Sequence, residues 1–460
     1  MNKKLKEKIE KKFAFRLNQN QYQDLERLIF EVKRRQNIST ARLVDYLKIN
    51  SGYSKQTGKN RFLALKSCLV KYRYPLTSAH EDINKKKLFL NKIQPVLKNN
   101  WEVKKTFKPA TLFFEKETRG SYLVKNFQRQ FPNLKIKQIS TFKNYVKNNQ
   151  FKIAELKKPL VFITKETRDF LKPCPCTKNH LGCGYWIFNL GYGCPFDCSY
   201  CYLQQYTNSP GIVLPANLDD FFTQFDRFEK KLTGPVRIGT GEFLDSLALD
   251  HVTNYSCRLI SYFRSKKVLF ELKTKSGRVE NILREKPASN IIISWSLNPK
   301  TIISSEEKSA SSLKERLAAA KKVQNAGFKV AFHFDPIIYY KNWEKDYQEL
   351  TRLLYKKLSP PFAWISLGTL RANRQLKPIV EQRFPKSDIF YGEMFIGEDK
   401  KLRYPQFLRE TIYTKMFRWI RNFDSKTPLY LCMENKNIWK AISALKTRKN
   451  IENYLIKNNF

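Results

Sequence analysis

The chain has 460 residues, of which 42% are hydrophobic and 14% aromatic, a composition that excludes an intrinsically disordered protein. Lys and Arg number 86 against 41 Asp and Glu, and the formal net charge of +45 favours anionic partners such as nucleic acids. The sequence has no run of about eighteen apolar residues and no apolar signal segment behind its basic start. We therefore expect a cytoplasmic protein without a membrane span.

The first 105 residues are polar, rich in Lys, Asn and Gln, and carry helical patterns at residues 20–34 and 39–47. We interpret residues 1–105 as a basic helical extension. Residues 106–184 combine strand-like runs at 111–114 and 160–163 with a helical pattern at 123–130, which predicts an α/β lead-in module.

Residues 185–390 alternate strands with helices, and this order predicts an α/β fold, a (β/α)6 partial barrel of parallel strands. The predicted strands are residues 185–191, 236–242, 268–275, 291–298, 329–337 and 363–370. The predicted helices are residues 218–232, 251–264, 278–284, 312–325, 344–358 and 378–383. Residues 391–460 are expected to form a helical C-terminal region, with helices at 409–422 and 437–446.

Three cysteines, Cys194, Cys198 and Cys201, follow the first predicted strand with a Cys-x3-Cys-x2-Cys spacing. A structural zinc ion takes four protein ligands, and so does an ordinary iron–sulfur cluster. A [4Fe–4S] cluster held by only three thiolates keeps one iron open to a small molecule. The alternative is a zinc loop that a distant Cys or His completes. In parallel barrels the carboxyl ends of the strands carry the chemistry, which is where this loop lies.

The spacing, the aromatic Tyr200 before the third cysteine and the preceding strand together resemble the radical S-adenosylmethionine (SAM) superfamily. That resemblance implies a [4Fe–4S] cluster on Cys194, Cys198 and Cys201, with SAM bound at the open iron. It also implies reductive cleavage of SAM to methionine and a 5′-deoxyadenosyl radical. A reductant such as flavodoxin or ferredoxin is the partner that this chemistry requires.

Residues 109–385 further resemble the spore photoproduct lyase family, with segments 194–204, 217–222 and 239–251 carrying most of the likeness. The resemblance implies repair of a methylene-bridged thymine dimer, with DNA as partner and Tyr200 and Tyr202 as catalytic residues. In that family a cysteine after the second strand donates a hydrogen atom. Here Glu242 stands in its place, and a carboxyl group cannot donate a hydrogen atom as a thiol does.

Polar residues at the strand ends predict a SAM pocket. Glu242 lies in a Gly-Thr-Gly-Glu segment that resembles the element with which many radical SAM proteins receive the SAM ammonium. Lys275 and Ser296 end the third and fourth strands and are candidates for the SAM carboxylate and ribose, with Asn298 as a further cofactor-binding candidate.

A second cysteine group, Cys174, Cys176 and Cys183 with His180, lies just upstream of the loop. It has three interpretations: a second metal site with His180 or a remote cysteine as fourth ligand, buried structural thiols, or the missing hydrogen-atom donor. Cys68, Cys257 and Cys432 are isolated, and we expect them to be structural.

A competing hypothesis for the whole chain is a non-catalytic nucleic-acid-binding protein stabilised by an iron–sulfur cluster or zinc. It depends on the net charge and on the basic extension. An evenly lysine-rich, solvated surface would explain the same charge without any nucleic acid.

Overall fold

The computed structural model describes eight stretches of the chain: residues 3–47, 57–97, 107–149, 159–168, 170–177, 180–206, 210–442 and 447–459. Contacts between Cα atoms divide the chain into two compact units. One comprises Met1–Leu97 with Arg371–Pro405, and the other comprises Lys98–Leu370 with Gln406–Phe460. The predicted boundary at residues 105–106 lies outside the described residues.

Five helices open the chain: α1 (Lys3–Phe13), α2 (Gln19–Gln36), α3 (Thr40–Tyr46), α4 (Gly58–Arg73) and α5 (Pro75–His80). The helical patterns at 20–34 and 39–47 thus fall on α2 and α3. α2 begins with a capping box, in which Asn18 accepts from the N–H of Gln21 and the Gln21 side chain accepts from the N–H of Asn18. Its buried Leu25, Leu28 and Val32 have helical spacing and form part of one apolar core.

The next elements along the chain are β1 (Thr111–Glu115), α6 (Tyr122–Gln130), β2 (Lys135–Ile139), α7 (Phe142–Asn148), β3 (Leu160–Thr164), β4 (Leu171–Pro173), β5 (His180–Leu181), β6 (Trp186–Phe188), α8 (Leu203–Tyr206) and β7 (Ile212–Pro215). Four of these strands form a parallel sheet in the order β2-β1-β3-β7. The expected strand, helix and strand of the lead-in are all present as β1, α6 and β3.

The central part of the chain contains α9 (Leu218–Glu229), β8 (Val236–Thr240), α10 (Asp250–Thr253), α11 (Tyr255–Phe263), β9 (Val268–Thr274), β10 (Ile291–Ser296), α12 (Lys300–Glu306), α13 (Leu313–Asn325), β11 (Lys329–Ile337), α14 (Trp343–Lys357) and β12 (Ile365–Thr369). The predicted helix at 278–284 is wrong, because only Ile282–Arg284 forms a single 3-10 turn. The N–H of Arg278 donates to the side-chain hydroxyl of Ser276 at 3.0 Å, and this local bond to a side chain competes with the start of a helix.

The last elements are β13 (Arg371–Asn373), α15 (Leu376–Arg383), β14 (Phe395–Ile396), β15 (Lys401–Arg403), α16 (Gln406–Arg421), β16 (Leu429–Leu431), β17 (Glu434–Asn435), α17 (Lys436–Ile442) and α18 (Arg448–Lys457). The predicted helix at 409–422 corresponds to α16. The predicted helix at 437–446 begins as α17, and its last four residues lie outside the described residues. Besides its helices, the predicted helical C-terminal region contributes strands, each only two or three residues long.

The largest sheet has eight strands in the order β16-β12-β11-β10-β9-β8-β6-β4. The six predicted strands correspond to its consecutive parallel members β6 and β8–β12, so the α/β class and the parallel sheet are confirmed. The sheet is larger than predicted, because β16 extends it in parallel and β4 pairs antiparallel with β6. Fully buried runs such as Ile291–Ser296 place this sheet at the centre of its unit.

Among the described residues, no helix is long and apolar enough to cross a membrane. None of the nine cysteines, all of which are described, forms a disulfide.

Candidate active site

The first cysteine of the loop with Cys194, Cys198 and Cys201 lies six residues after the end of β6, and the loop leads into α8. Gly191, at φ 136°, allows the backbone to turn there, and a Cβ at this position would clash with the carbonyl oxygen of Val213. The main-chain groups of Tyr192 and Val213 exchange hydrogen bonds of 3.0 and 2.8 Å, which fixes the start of the loop against β7.

Gln204 stabilises the cysteine loop from inside. Its side-chain amide donates to the carboxylate of Asp197 at 2.8 Å and to the carbonyl of Cys198 at 3.1 Å. Asp197 has a φ of 48°, a left-handed conformation in which the chain can turn sharply between the first two cysteines. The Gln of the Tyr-Cys-Tyr-Leu-Gln segment therefore has a structural role in holding the loop.

The three thiols of the loop lie close enough to interact electrostatically with one another. Cys198 is buried and the other two are half-buried, and burial raises the pKa of all three. A cationic cluster would offset this cost, because metal binding stabilises the thiolate. Three thiolates can each bind a separate iron of a [4Fe–4S] cluster and leave the fourth iron open. The donor set therefore fits the cluster that the sequence predicts.

Tyr200 points into a buried network that centres on Glu307. The phenol of Tyr200 donates to the Glu307 carboxylate, which also pairs with the guanidinium of Arg316. Asn298 donates to Glu307 at 2.8 Å and accepts from the phenol of Tyr347 at 2.8 Å. Although burial raises the pKa of Glu307, Arg316 and Lys275 outweigh it and lower the pKa to about 2. Glu307 is thus an ionised anchor for the cluster loop.

Lys275 and Ser296 lie on the same side of the site as Tyr200. The ammonium of Lys275 is 5.9 Å from the centre of the Tyr200 ring and interacts electrostatically with the Cys198 thiol. Ser296 is the last residue of β10, and its carbonyl accepts from Arg316 at 2.9 Å. The predicted residues Tyr200, Lys275, Ser296 and Asn298 are therefore brought together beside the cysteine loop.

Tyr202 and Glu242 form a second group with Lys273. The phenol of Tyr202 donates to the main-chain carbonyl of Glu242 at 2.5 Å, and Lys273 pairs with the Glu242 carboxylate at 2.5 Å. Burial opposes ionisation of Glu242, but the Lys273 ammonium outweighs it and leaves the pKa below its ordinary value. Burial and the facing Glu242 raise the pKa of Tyr202, so its phenol stays protonated.

Two residues near Glu242 have structural tasks. The Asp245 carboxylate accepts from the N–H groups of Leu247 and Ala248 at 3.0 and 2.9 Å and from that of Lys275 at 2.7 Å. It thereby connects the segment that follows β8 to the end of β9. Asp250 accepts from the backbone N–H of Ser256 at 2.9 Å. Both carboxylates also accept from side chains, Asp245 from the hydroxyl of Thr274 and Asp250 from the side chains of Ser256 and Asn281.

Sequence reasoning missed Glu307, Arg316 and Lys273. Glu307 follows α12 in an irregular segment, and nothing in its neighbourhood distinguishes it from a solvated glutamate. Arg316 lies in α13 as one of many basic residues. Lys273 offers a weak signal, since it is a charged residue inside a strand that is otherwise apolar apart from Glu271 and the terminal Thr274.

A cysteine tripod at the carboxyl end of a parallel strand, with polar side chains at the ends of the neighbouring strands, defines the class of radical SAM proteins. The model of the family "SPL: Spore photoproduct lyase" matches residues 107–416. The chain belongs to the spore photoproduct lyase family, whose members are radical SAM enzymes.

Two relatives and two solved structures show the extent of the similarity. A spore photoproduct lyase of Geobacillus sp. (strain Y412MC61) is 27% identical over 63% of this chain and 86% of its own length. That of Bacillus subtilis (strain 168) is 26% identical over 62% of this chain and 85% of its own. The structure of a spore photoproduct lyase complexed with dinucleoside spore photoproduct has 25% identity and a TM-score of 0.63, and it covers 71% of this chain and 99% of that one.

A spore photoproduct lyase mutant with bound AdoMet and dinucleoside spore photoproduct is 24% identical, with a TM-score of 0.61, over 71% of this chain and 99% of that one. At that identity the likeness shows the fold alone.

Proposed function

We propose that this protein binds a [4Fe–4S] cluster through Cys194, Cys198 and Cys201, cleaves SAM reductively and repairs a spore-photoproduct-type thymine lesion in DNA. The observation that carries the proposal is the gathering of these three thiols at the end of β6 in a chain of this family. Strands β6 and β8–β12, with their helices, are the (β/α)6 unit that we assign to this chemistry.

When bound, the cluster supplies the electron that splits SAM into methionine and a 5′-deoxyadenosyl radical, with flavodoxin or ferredoxin as the source of that electron. Glu242, held by Lys273 and Tyr202, presents a carboxylate and a carbonyl to the SAM ammonium. We assign the SAM carboxylate to the ammonium of Lys275 and a ribose hydroxyl to the side chain of Ser296.

Asn298 has a positioning role in this proposal. Its side-chain nitrogen and oxygen are both engaged, with Glu307 and Tyr347, so it acts on SAM only through the placement of Tyr200. Tyr200 in turn fixes the cluster loop against Glu307.

The substrate proposal combines the net charge of +45 with the relatives. A relative's solved structure holds dinucleoside spore photoproduct, and the basic surface of this chain suits a DNA backbone. Glu242 stands where the family resemblance puts a hydrogen-donating cysteine, and an ionised carboxylate cannot take that role. We assign the role to Tyr202, whose protonated phenol lies against Glu242: it gives a hydrogen atom to the product radical, and an electron from the reductant with one proton restores it.

The test is anaerobic reconstitution of the full chain, followed by dithionite, SAM and dinucleoside spore photoproduct deuterated at C6. We expect 5′-deoxyadenosine that contains deuterium, together with released thymine units. Cys198→Ala should abolish both products, whereas Cys68→Ser, which changes a thiol of the other unit, should retain them. A cluster-loaded protein that forms no 5′-deoxyadenosine would contradict the enzyme itself. SAM cleavage without deuterium transfer would contradict the lesion as substrate.

A further inference from the structure

Four cysteines outside the cluster loop lie together in one region of the larger unit: Cys174, Cys176, Cys183 and Cys432. The first three form the upstream group seen in the sequence, and Cys432, expected to be an isolated structural residue, directly follows β16. Electrostatic interactions link Cys174 with Cys176 and Cys432, and link Cys183 with Cys176.

The backbone brings the first three thiols together. β4 and β6 pair antiparallel with Pro173 opposite Trp186, and the N–H of Cys174 donates to the carbonyl of Tyr185 at 2.9 Å. The N–H of Cys176 donates to the carbonyl of Cys174 at 2.7 Å, a tight turn that places both thiols on the same short segment. A Cβ at Gly182 would lie 3.1 Å from the Cys176 sulfur, so the glycine lets this thiol lie against the backbone next to Cys183.

A second strand pair brings in Cys432. β5 and β17 pair antiparallel, with His180 opposite Asn435 and Leu181 opposite Glu434. This pairing brings the chain just before β17, which includes Cys432, close to the segment that contains Cys183, and both thiols interact electrostatically with the phenol of Tyr430. His180, by contrast, lies opposite Asn435, at the far end of this pairing.

The surroundings carry a positive charge that suits an anionic centre. Arg237 is 1% exposed, and its Nε and Nη1 atoms lack a hydrogen-bond partner among the described residues. Its guanidinium lies 4.1 Å from the ring centre of Trp364 and interacts electrostatically with the Cys183 thiol. Four thiolates carry more negative charge than a zinc ion carries positive charge, and a [4Fe–4S] cluster with four thiolates is also negative overall. The loaded site would therefore balance the positive charge of the buried Arg237 guanidinium.

We propose that Cys174, Cys176, Cys183 and Cys432 form a second metal site, a tetrathiolate centre separate from Cys194, Cys198 and Cys201. The chemistry shared by its two candidate occupants, a zinc ion and an iron–sulfur cluster, is coordination by four thiolates. The side chains close on the metal by rotation, since among the described residues they are not yet spaced as the ligands of one ion are. Cys174 also interacts with Glu242, so the site adjoins the pocket that we assign to SAM.

The test uses the full chain with Cys194, Cys198 and Cys201 all changed to Ala, purified without oxygen, and reads iron, acid-labile sulfide and zinc per chain. Retention of about four irons with sulfide supports an iron–sulfur cluster, and about one zinc supports the zinc site. Adding Cys432→Ser should lower the retained metal at least tenfold, whereas adding His180→Gln should leave it unchanged. A folded triple variant without either metal would overturn the proposal, and so would metal that survives Cys432→Ser.

A second measurement protects this test against variants that do not fold. In the unmutated protein, a thiol reagent applied before and after chelation should find additional reactive cysteines, and mass mapping should place them at all four positions. If chelation does not increase the labelling of any of these four cysteines, the proposal is overturned. Neither the metal content nor the thiol labelling depends on SAM cleavage. A negative result for the second metal site therefore does not contradict the proposed enzyme activity, and absence of SAM cleavage does not contradict the second metal site.

Discussion

The phenol of Tyr202 donates a 2.5 Å hydrogen bond to the main-chain carbonyl of Glu242, and thereby joins the cysteine loop to the end of β8. The same glutamate pairs through its carboxylate with Lys273 of β9. One residue thus connects three neighbouring parts of the site, and its orientation depends on both partners.

Removing the Lys273 ammonium should weaken SAM binding. In Lys273→Met, the Glu242 carboxylate loses the cation that orients it and keeps it ionised, so we expect the Kd for SAM to rise about tenfold, or about 1.4 kcal/mol. Equilibrium binding of SAM to the cluster-loaded protein measures this. The exposed Lys267→Met is the matched control and should bind normally. Equal SAM affinity in the two variants would show that Lys273 does not support the pocket.

Gly241 should not tolerate a side chain. It has a φ of 95°, and a Cβ there would lie 2.6 Å from the carbonyl oxygen of Lys273, so Gly241→Ala should destabilise the protein by about 1–3 kcal/mol and displace Glu242. Gly234→Ala is the control, because a Cβ at Gly234 meets no atom within 4 Å. Urea unfolding of both variants provides the measurement, and a Gly241→Ala protein as stable as the control would refute the argument.

Glu307 should be essential for the stability of the site. Glu307→Gln leaves the buried guanidinium of Arg316 without a counter-charge, and breaking such a pair costs about 3–5 kcal/mol. Because Tyr200 loses its anionic acceptor, the iron content after reconstitution should also fall. Denaturant unfolding and iron analysis check these two effects, with the exposed Glu280→Gln as control. Normal stability and normal iron in Glu307→Gln would contradict the role of anchor.

The smaller unit should lose stability in acid through Glu31. This buried carboxylate pairs with Arg27, Arg73 and Lys377. Burial would raise its pKa, but the three cations outweigh burial and hold the pKa well below its ordinary value. A carboxyl whose folded-state pKa is lowered stabilises the fold above its unfolded-state pKa and loses that effect as the pH falls towards the folded-state value.

Unfolding free energies measured between about pH 6 and pH 3 should therefore decline more steeply for the unmutated protein than for Glu31→Gln, whose side chain does not titrate. Glu117→Gln, an exposed change in the other unit, should keep the steep decline. Parallel curves for the unmutated protein and Glu31→Gln would show that Glu31 does not cause the loss.

The five central strands β8–β12 were predictable because they are apolar runs of five to nine residues along most of their length, and burial on both faces gives such runs a strong signal. β6 and β16 are only three residues long, and β6 was predicted from the strand-like run at 185–191 that leads into the cysteine loop. β16 had no such marker. Short strands are defined by their partners in the sheet, which single-sequence patterns do not reveal.

The residues of the candidate site also fall into those that a local sequence pattern predicts and those that only the fold brings to the site. The cluster cysteines and Tyr200 share one local motif, and Glu242 has flanking glycines that mark it. Glu307 and Cys432 reach their places through folding of segments far apart in sequence, so their neighbours along the chain carry no sign of their role. Three-dimensional contacts alone connect Glu307 to Tyr200 and set Cys432 beside the upstream cysteines.

The central claim is that Cys194, Cys198 and Cys201 hold a cluster with one iron open to SAM. The most direct measurement is pulsed electron–nuclear resonance on the reduced, reconstituted protein with SAM labelled with 15N at the amino group and 17O at the carboxylate. We predict hyperfine coupling of both labels to the reduced cluster. In Cys198→Ala, the cluster signal and with it this coupling should be lost. A fully ligated cluster without coupling to either label, or a protein that takes up no iron at this loop, would contradict the account.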